Sequence, residues 1–357
     1  MRHVDRRRFL TQSAAVGLGI GTLPHVAFGQ QTGPDPELTA VDVITRETQE
    51  AIDNGLKYLA ERQNVNPDLA GFGAFGPSGY SHNVAVCALA GMAFMSSGSS
   101  PGRGPYGRHV TRCLDYILDK TRDDGFIVAD GATSHGPMYG HGFATLFLAE
   151  VYGMSQDTRL REALSKAVDV IVSSQNSEGG WRYQPDRMDA DISVTVCQIM
   201  ALRGASNSGT YVPQEVAEAC IDYVKRCQNP DGGFTYMEMG GESAFPRSAA
   251  GLVALYSAGI YEGEEIEKGL DYLMQHIPRS GAPSRQSHYF YGQYYAVQAM
   301  WHAGGKRWQR WYPAIRDALI EQQLNGRWQD SICPEYGTAM ACIILQMPNN
   351  YLPIFQR

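Results

Sequence analysis

The sequence predicts an all-α chain folded as an (α/α)6 toroid, a closed barrel of six helical hairpins. Three observations carry this expectation. A short amphipathic pattern recurs along the chain, and the helices that follow it start about 51 residues apart on average. Several copies end in a glutamine followed by a glycine turn and an aromatic residue. Each turn then leads into a second helix that is apolar on nearly every face.

The first helix of each hairpin is read from its last turns. Leu56-Lys57-Tyr58-Leu59, Leu114-Asp115-Tyr116-Ile117, Val168-Asp169-Val170-Ile171, Ile221-Asp222-Tyr223-Val224 and Leu270-Asp271-Tyr272-Leu273 share one arrangement of aliphatic, charged and aromatic or Val positions. Apolar neighbours such as Ile52, Leu56 and Leu59 stand three and four apart, the spacing of one buried stripe on a helix. A sixth copy, from about Tyr312 to Gln323, supplies Ile315, Leu319 and Ile320. Gln63, Gln175, Gln228 and Gln323 close four of these helices. The turns that follow read QNSEGGWRY, QNPDGGFTY and QQLNGRW, with DDGF ending at Phe126 as a weaker copy. Glycine takes the left-handed conformation that ends a helix, and the aromatic folds back over that end. Trp181, Phe234 and Trp328 are therefore expected to be structural.

The second helices are expected near His82, Tyr139, Ala190, Phe245, Tyr291 and Tyr336, and they form an inner ring. An open stack of hairpins needs polar caps. The sixth hairpin instead ends in the apolar ACIILQMPNNYLPI, which closure against the first hairpin would bury.

Residues 1–29 read as a twin-arginine export signal: Arg6, Arg7, Arg8, Phe9 and Leu10, a short apolar stretch, then Ala27 and Gly29 before a cut. Residues 30–43 follow as a flexible linker, and 44–357 form one toroid domain, placed in the periplasm or outside the cell. Removal of the signal moves the net charge from −7 to −10, and no Lys/Arg run tracks a phosphate backbone, so nucleic acid is not an expected partner. No later stretch has the ~18 apolar residues of a membrane span, so stable membrane insertion is not expected. The seven cysteines have no metal spacing and read as buried apolar fillers; neither a metal nor a cofactor is expected.

The turns at Gln175 to Trp181 and Gln228 to Phe234, with six helix pairs, resemble the prenyltransferase and squalene-cyclase repeat superfamily over residues ~45 to ~350. The resemblance implies a toroid with a central cavity. Class II cyclases of that superfamily protonate an alkene with the middle Asp of a D-x-D-D motif. Asp189-Ala190-Asp191-Ile192 lies in a similar place, so Asp191 aligns with the acid, while Ile192 replaces the last Asp. The zinc ligands of protein prenyltransferases have no counterpart in FYGQYYAVQAMWHAG or PEYGTAMACIILQ.

Aligned on their terminal glycines, the inner helices bring His141, Arg247 and Gln293 level, with Thr338 matching by its Tyr-Gly-Thr start. Tyr139, Tyr291 and Tyr336 recur two residues before His141, Gln293 and Thr338, and His82, Asp189, Asp191, His288 and Glu335 lie within a turn of equivalent places. A polar and aromatic ring at one mouth of the barrel follows. The candidate catalytic residues are Asp191, His141 and Asp189; the candidate ligand contacts are His82, Tyr139, Arg247, His288, Tyr291, Gln293 and Tyr336. Acid and base work by Asp191 with a histidine, anion binding at helix N-termini beside Arg247, and stacking on tyrosines are the chemistries on offer. Helix capping by the acids and core packing by His141 are the competing roles. The functional readings are a pocket that binds, with groups able to transform, a small hydrophobic or polyol-like ligand; a non-catalytic module for a protein partner; a polysaccharide hydrolase or lyase; and, below these, a terpene cyclase using Asp191.

Overall fold

Six inner helices, each packed on the next and the last packed on the first, form the closed ring the periodicity predicts. The computed structural model describes residues 43–69, 71–279 and 287–356. All of these lie in one of two units of the chain, residues 33–357; the other, residues 1–32, lies outside the described residues, as does the expected export signal.

Twelve α-helices are described, outer and inner in alternation. The outer ones are α1 (Arg46–Arg62), α3 (Gly107–Asp119), α5 (Arg159–Ser174), α7 (Gln214–Arg226), α9 (Glu264–Met274) and α11 (Gly305–Gln322). The inner ones are α2 (Val84–Ser96), α4 (Pro137–Val151), α6 (Ile192–Asn207), α8 (Phe245–Ser257), α10 (Tyr289–Ala303) and α12 (Pro334–Leu345). All six inner helices start within two residues of the expected positions. Composition sorts the two rings. In α1, only the stripe through Ala51, Ile52, Leu56 and Leu59 is buried, whereas in α2 every residue except Ala85 is. Each fully buried Leu or Phe of that inner ring contributes roughly 1.5–3 kcal/mol. The helix α1 begins at Thr45, whose hydroxyl accepts the Thr48 N–H at 3.2 Å, with Glu47 favourably placed in the positive first turn.

The glutamine turns are the joints of the ring. Gln175 Nε2 donates to the Gly179 carbonyl at 2.9 Å and to the Val216 carbonyl at the start of α7 at 2.9 Å. Gln228 does the same to Gly232 and Glu265, and Gln63 to Gly73 and His109. One side chain thus fixes its own turn and grips the next outer helix. Gly179 and Gly232 adopt φ of +97° and +88°, and a Cβ at either would overlap the carbonyl oxygen of Ala219 or Lys268 on that neighbour. The indole N–H of Trp181 donates to the Ile171 carbonyl at 2.8 Å, and that of Trp328 to Leu319 at 2.7 Å, so each ring satisfies an orphan carbonyl near a helix end.

Two expectations shift. The sixth outer helix starts at Gly305, seven residues before Tyr312, and runs through Pro313. Proline there removes one N–H from the ladder, but buried Trp308, Trp311 and Tyr312 hold the early turn against the core, Trp308 stacking on Tyr312 at 4.7 Å. In the second repeat Ile127, not Phe126, occupies the position of the turn aromatic: it forms the same bridge as Phe234, to Thr121 in place of Gln228. All seven cysteines are unpaired and buried.

The end of the barrel opposite the inner N-termini is sealed. The segment after α12 crosses it: Asn349 Nδ2 donates to Ser96 O, the Ile354 N–H to Glu150 Oε1 and the Trp301 indole to Phe355 O, each at 3.1 Å. Phe355 meets Tyr294 edge-on within the lumen. The apolar C-terminal stretch is largely buried by this closure, Tyr351 remaining exposed.

Candidate functional site

The inner helices reach the mouth in one register. The Ile127 N–H donates to His141 Nδ1 at 3.1 Å, Trp181 N–H to Thr195 Oγ1 at 3.1 Å, Phe234 N–H to Ser248 Oγ at 2.8 Å and Trp328 N–H to Thr338 Oγ1 at 3.1 Å. Each of these four inner helices turns that side chain outward onto its glycine turn. The residue two positions earlier then faces the barrel axis, because two residues rotate the direction by about 200°. Tyr139, Ser193, Pro246 and Tyr336 are those residues, and all four line one cavity.

The cavity encloses about 580 Å³ at the N-terminal ends of the inner helices. Tyr139, Tyr291 and Tyr336 come from the helices; Tyr80, Tyr183, Tyr236, His135, His288 and Arg247 come from the turns and first helical residues around the mouth. Phe143 and Tyr291 line it, and the buried Tyr294 and Tyr295 back these two rings. Tyr295 packs edge-on against Tyr291 at 4.8 Å and Tyr294 at 4.9 Å, and the Tyr291 hydroxyl donates to the Ser193 carbonyl at 2.8 Å, joining α10 to α6 across the lumen. His288 holds the left-handed conformation, φ +60°, at the start of α10, a backbone state that is costly for a non-glycine residue. Asp and Glu side chains are absent from the lining among the described residues.

Asp191 stands behind this wall. It caps α6, Oδ1 accepting the Val194 N–H at 2.9 Å, and is fully buried. Its Oδ2 accepts the Tyr236 hydroxyl at 3.2 Å, and Tyr236 is bonded in turn to the Tyr183 hydroxyl. Burial pushes the carboxyl up to about 6, against the opposing pull of the Val194 N–H, Tyr236 and Arg182. Arg182 Nε lies 3.9 Å from Asp191, and its guanidinium sits over the rings of Tyr183 and Tyr236 at 5.1 and 5.8 Å. Asp191 therefore reaches the cavity only through Tyr236.

The structure brings Tyr139, Arg247, His288, Tyr291 and Tyr336 to the cavity, as the sequence anticipates. Besides Asp191, four other candidates lie off its lining. His141 is fully buried with both ring nitrogens engaged, Nδ1 by the Ile127 N–H and Nε2 by the Ala167 carbonyl at 3.0 Å, which points it at α5 rather than the lumen. Burial holds it neutral, down to about 4. His82 turns toward Gly76 and Asn64. Gln293 is buried on α10 off the lining. Asp189 pairs with Arg182 beside the mouth. Arg247 lines the cavity because it lies one residue before Ser248, the true counterpart of His141; it bonds the Phe234 and Glu242 carbonyls. Glu335 is buried at the start of α12, where burial raises its carboxyl but Arg62 and Ser81, each at 3.0 Å, hold it below the usual range. Tyr183 and Tyr236 escape the sequence reading, although both stand two residues after the turn aromatic in the WRY and FTY motifs.

The family model for the prenyltransferase alpha-alpha toroid domain matches residues 151–288. No curated protein matches the chain significantly. Among solved structures, the type II terpene cyclase from Scytonema superposes with a TM-score of 0.56 at 15% identity, over 86% of this chain and 99% of that one. A GH76 alpha-mannanase from Bacteroides thetaiotaomicron gives 0.59 at 13%, over 89% and 98%. The cellobiose 2-epimerase from Bacillus thermoamylovorans gives 0.58 at 12%, over 85% and 99%. At such identities the neighbours share the fold, and that fold hosts unrelated chemistries. Over residues 151–288 the chain matches the prenyltransferase alpha-alpha toroid domain, and as a whole it shares the α/α toroid fold of these neighbours.

Proposed function

We propose that the toroid holds a small, largely apolar ligand carrying a few oxygen substituents in its tyrosine-walled mouth. The observation that carries this reading is a cavity of about 580 Å³ with seven aromatic side chains, Tyr and Phe, in its wall and, among the described residues, no carboxylate. Aromatic faces take up apolar surface, and their phenols offer neutral hydrogen bonds. Two structural neighbours were solved with ligands on this fold: the Scytonema cyclase with geranylgeranyl dihydroxybenzoate and a Salegentibacter alpha-1,6-mannanase variant with mannotriose. The lining here suits the first kind of molecule. Glycoside hydrolysis commonly employs two carboxyl groups flanking the bond, roughly 5–9.5 Å apart, and the wall offers none among the described residues. Direct protonation of an alkene by Asp191 is likewise disfavoured by the intervening Tyr236.

Mass spectrometry of material extracted from the natively expressed protein should find such a compound, and geranylgeraniol should raise the melting temperature. Tyr139→Ala should weaken that binding about tenfold. Absence of any extractable ligand together with no thermal response would overturn the reading. Export belongs to the same proposal, supported by Arg6-Arg7 and the cleavage-site residues. Replacing both arginines by lysine should retain the protein in the cytoplasm in a fractionation assay, and unchanged export would refute it.

A further inference from the structure

The hydroxyls of Tyr183 and Tyr236 and the carboxyl of Asp191 form a continuous series from cavity wall to buried acid. A phenol has one proton to give. Tyr236 gives its proton to Asp191, so the hydrogen between the two phenols must come from Tyr183. Tyr183 then presents only oxygen lone pairs to the cavity. If Asp191 acquires a proton on Oδ2, that proton faces Tyr236, and every hydrogen in the series can turn round. Tyr236 donates to Tyr183, and Tyr183 donates into the cavity. Two protons reorient within the phenols, one is gained by Asp191 from solvent, and no bond to carbon changes.

We propose that this series reads the charge of Asp191 out to the ligand: Tyr183 accepts from a ligand hydroxyl when Asp191 is ionised and donates to a ligand carbonyl when Asp191 is neutral. The inference rests on the pocket reading above and assigns the ligand an oxygen function, alcohol or ketone, at Tyr183. Besides the two phenols, the titratable or charged groups that face Asp191 are Arg182 from its own turn, Tyr139 of α4, Cys197 of α6, Tyr223 of α7 and Tyr291 of α10. Burial raises all four of the tyrosine and cysteine groups, so they stay neutral at moderate pH. Arg182 stays charged throughout. Asp191 is then the group of this set whose charge changes between about pH 5 and 7.

The test uses a matched pair of probes that do not titrate, cyclododecanol and cyclododecanone, with dissociation constants measured from pH 4.5 to 7.5. The alcohol-to-ketone preference should change about tenfold in favour of the alcohol as pH rises, the effect of making or losing one hydrogen bond. Asp191→Asn keeps the helix cap and offers Tyr236 a permanent N–H, so it should fix the ketone preference at every pH. Tyr236→Phe should flatten the profile. A pH-independent preference in the wild-type protein, with both probes bound, overturns the proposal and leaves the pocket intact. Failure of either probe to bind at any pH overturns both.

Discussion

Gln323, at the end of the last outer helix, donates from Nε2 to the carbonyl of Ala51 on the first, at 2.8 Å. It is the same bond that Gln175 and Gln228 make to the helix after them, here closing the last repeat onto the first.

Gln323→Ala removes this bond and leaves the Ala51 carbonyl without that partner. The expected cost is about 1–2 kcal/mol. Urea unfolding should register it as a lower midpoint at unchanged slope. A loss indistinguishable from zero would mean that the seam is held by its other contacts, among them the packing of α12 on α1 and α2 and the Arg62–Glu335 ion pair.

Gly179→Ala demands a left-handed alanine and drives its Cβ into the Ala219 carbonyl. Destabilisation above about 2 kcal/mol is expected. Ala substitution at Gly153, which has open space around its Cβ position, should cost less, because only its positive φ opposes the change. Equal losses at the two positions would contradict the tight approach of the turn to α7.

His141 is neutral when buried and titrates near 4, against 6.5 in an unfolded chain. The unfolded state therefore binds more protons between those values. The stability that His141 contributes is complete above about pH 6.5 and lost as pH falls toward 4, on the order of 3 kcal/mol. Unfolding free energies measured across that range in wild type and His141→Gln should show the steeper acid decline in the wild type.

Glu150 behaves in the opposite sense. Buried against the C-terminal segment, its carboxyl is pushed up to about 8, and its second oxygen has no hydrogen-bond partner among the described residues. The folded state holds the extra proton, so stability falls as pH rises from about 4.5 to 8. Glu150→Gln keeps an acceptor for the Ile354 N–H and removes the charge. It should raise stability at pH 8 by on the order of 3 kcal/mol and have little effect at pH 4. Equal stability of the two proteins at pH 8 would show that the carboxylate is accommodated.

The architecture is legible in the sequence because the repeat's chemistry is local. A glutamine, a left-handed glycine and an aromatic ring sit within a few residues of one another, with the same spacing at Gln175 and Gln228 and one residue fewer at Gln323. The site is legible in part. Tyr139, Tyr291 and Tyr336 declare themselves through Tyr-Gly steps at helix starts. Aligning Arg247 with His141 misses by one residue, since the fourth repeat places Ser248 on the turn; a one-residue slip rotates a helical side chain by about 100°, so Arg247 and His141 end on different sides. Tyr183 and Tyr236 lie in loops, where no periodicity indicates which way a ring points. Only their pairing across two turns reveals the series that ends at Asp191.

The C-terminal segment across the far end of the barrel and the tyrosine base above it make the interior a cup rather than a conduit. On the pocket reading proposed above, a guest would enter and depart by the same rim, with nothing among the described residues placed to displace it from behind. Arrival and escape then share one barrier, and tightening that rim slows both together, prolonging occupancy without altering affinity.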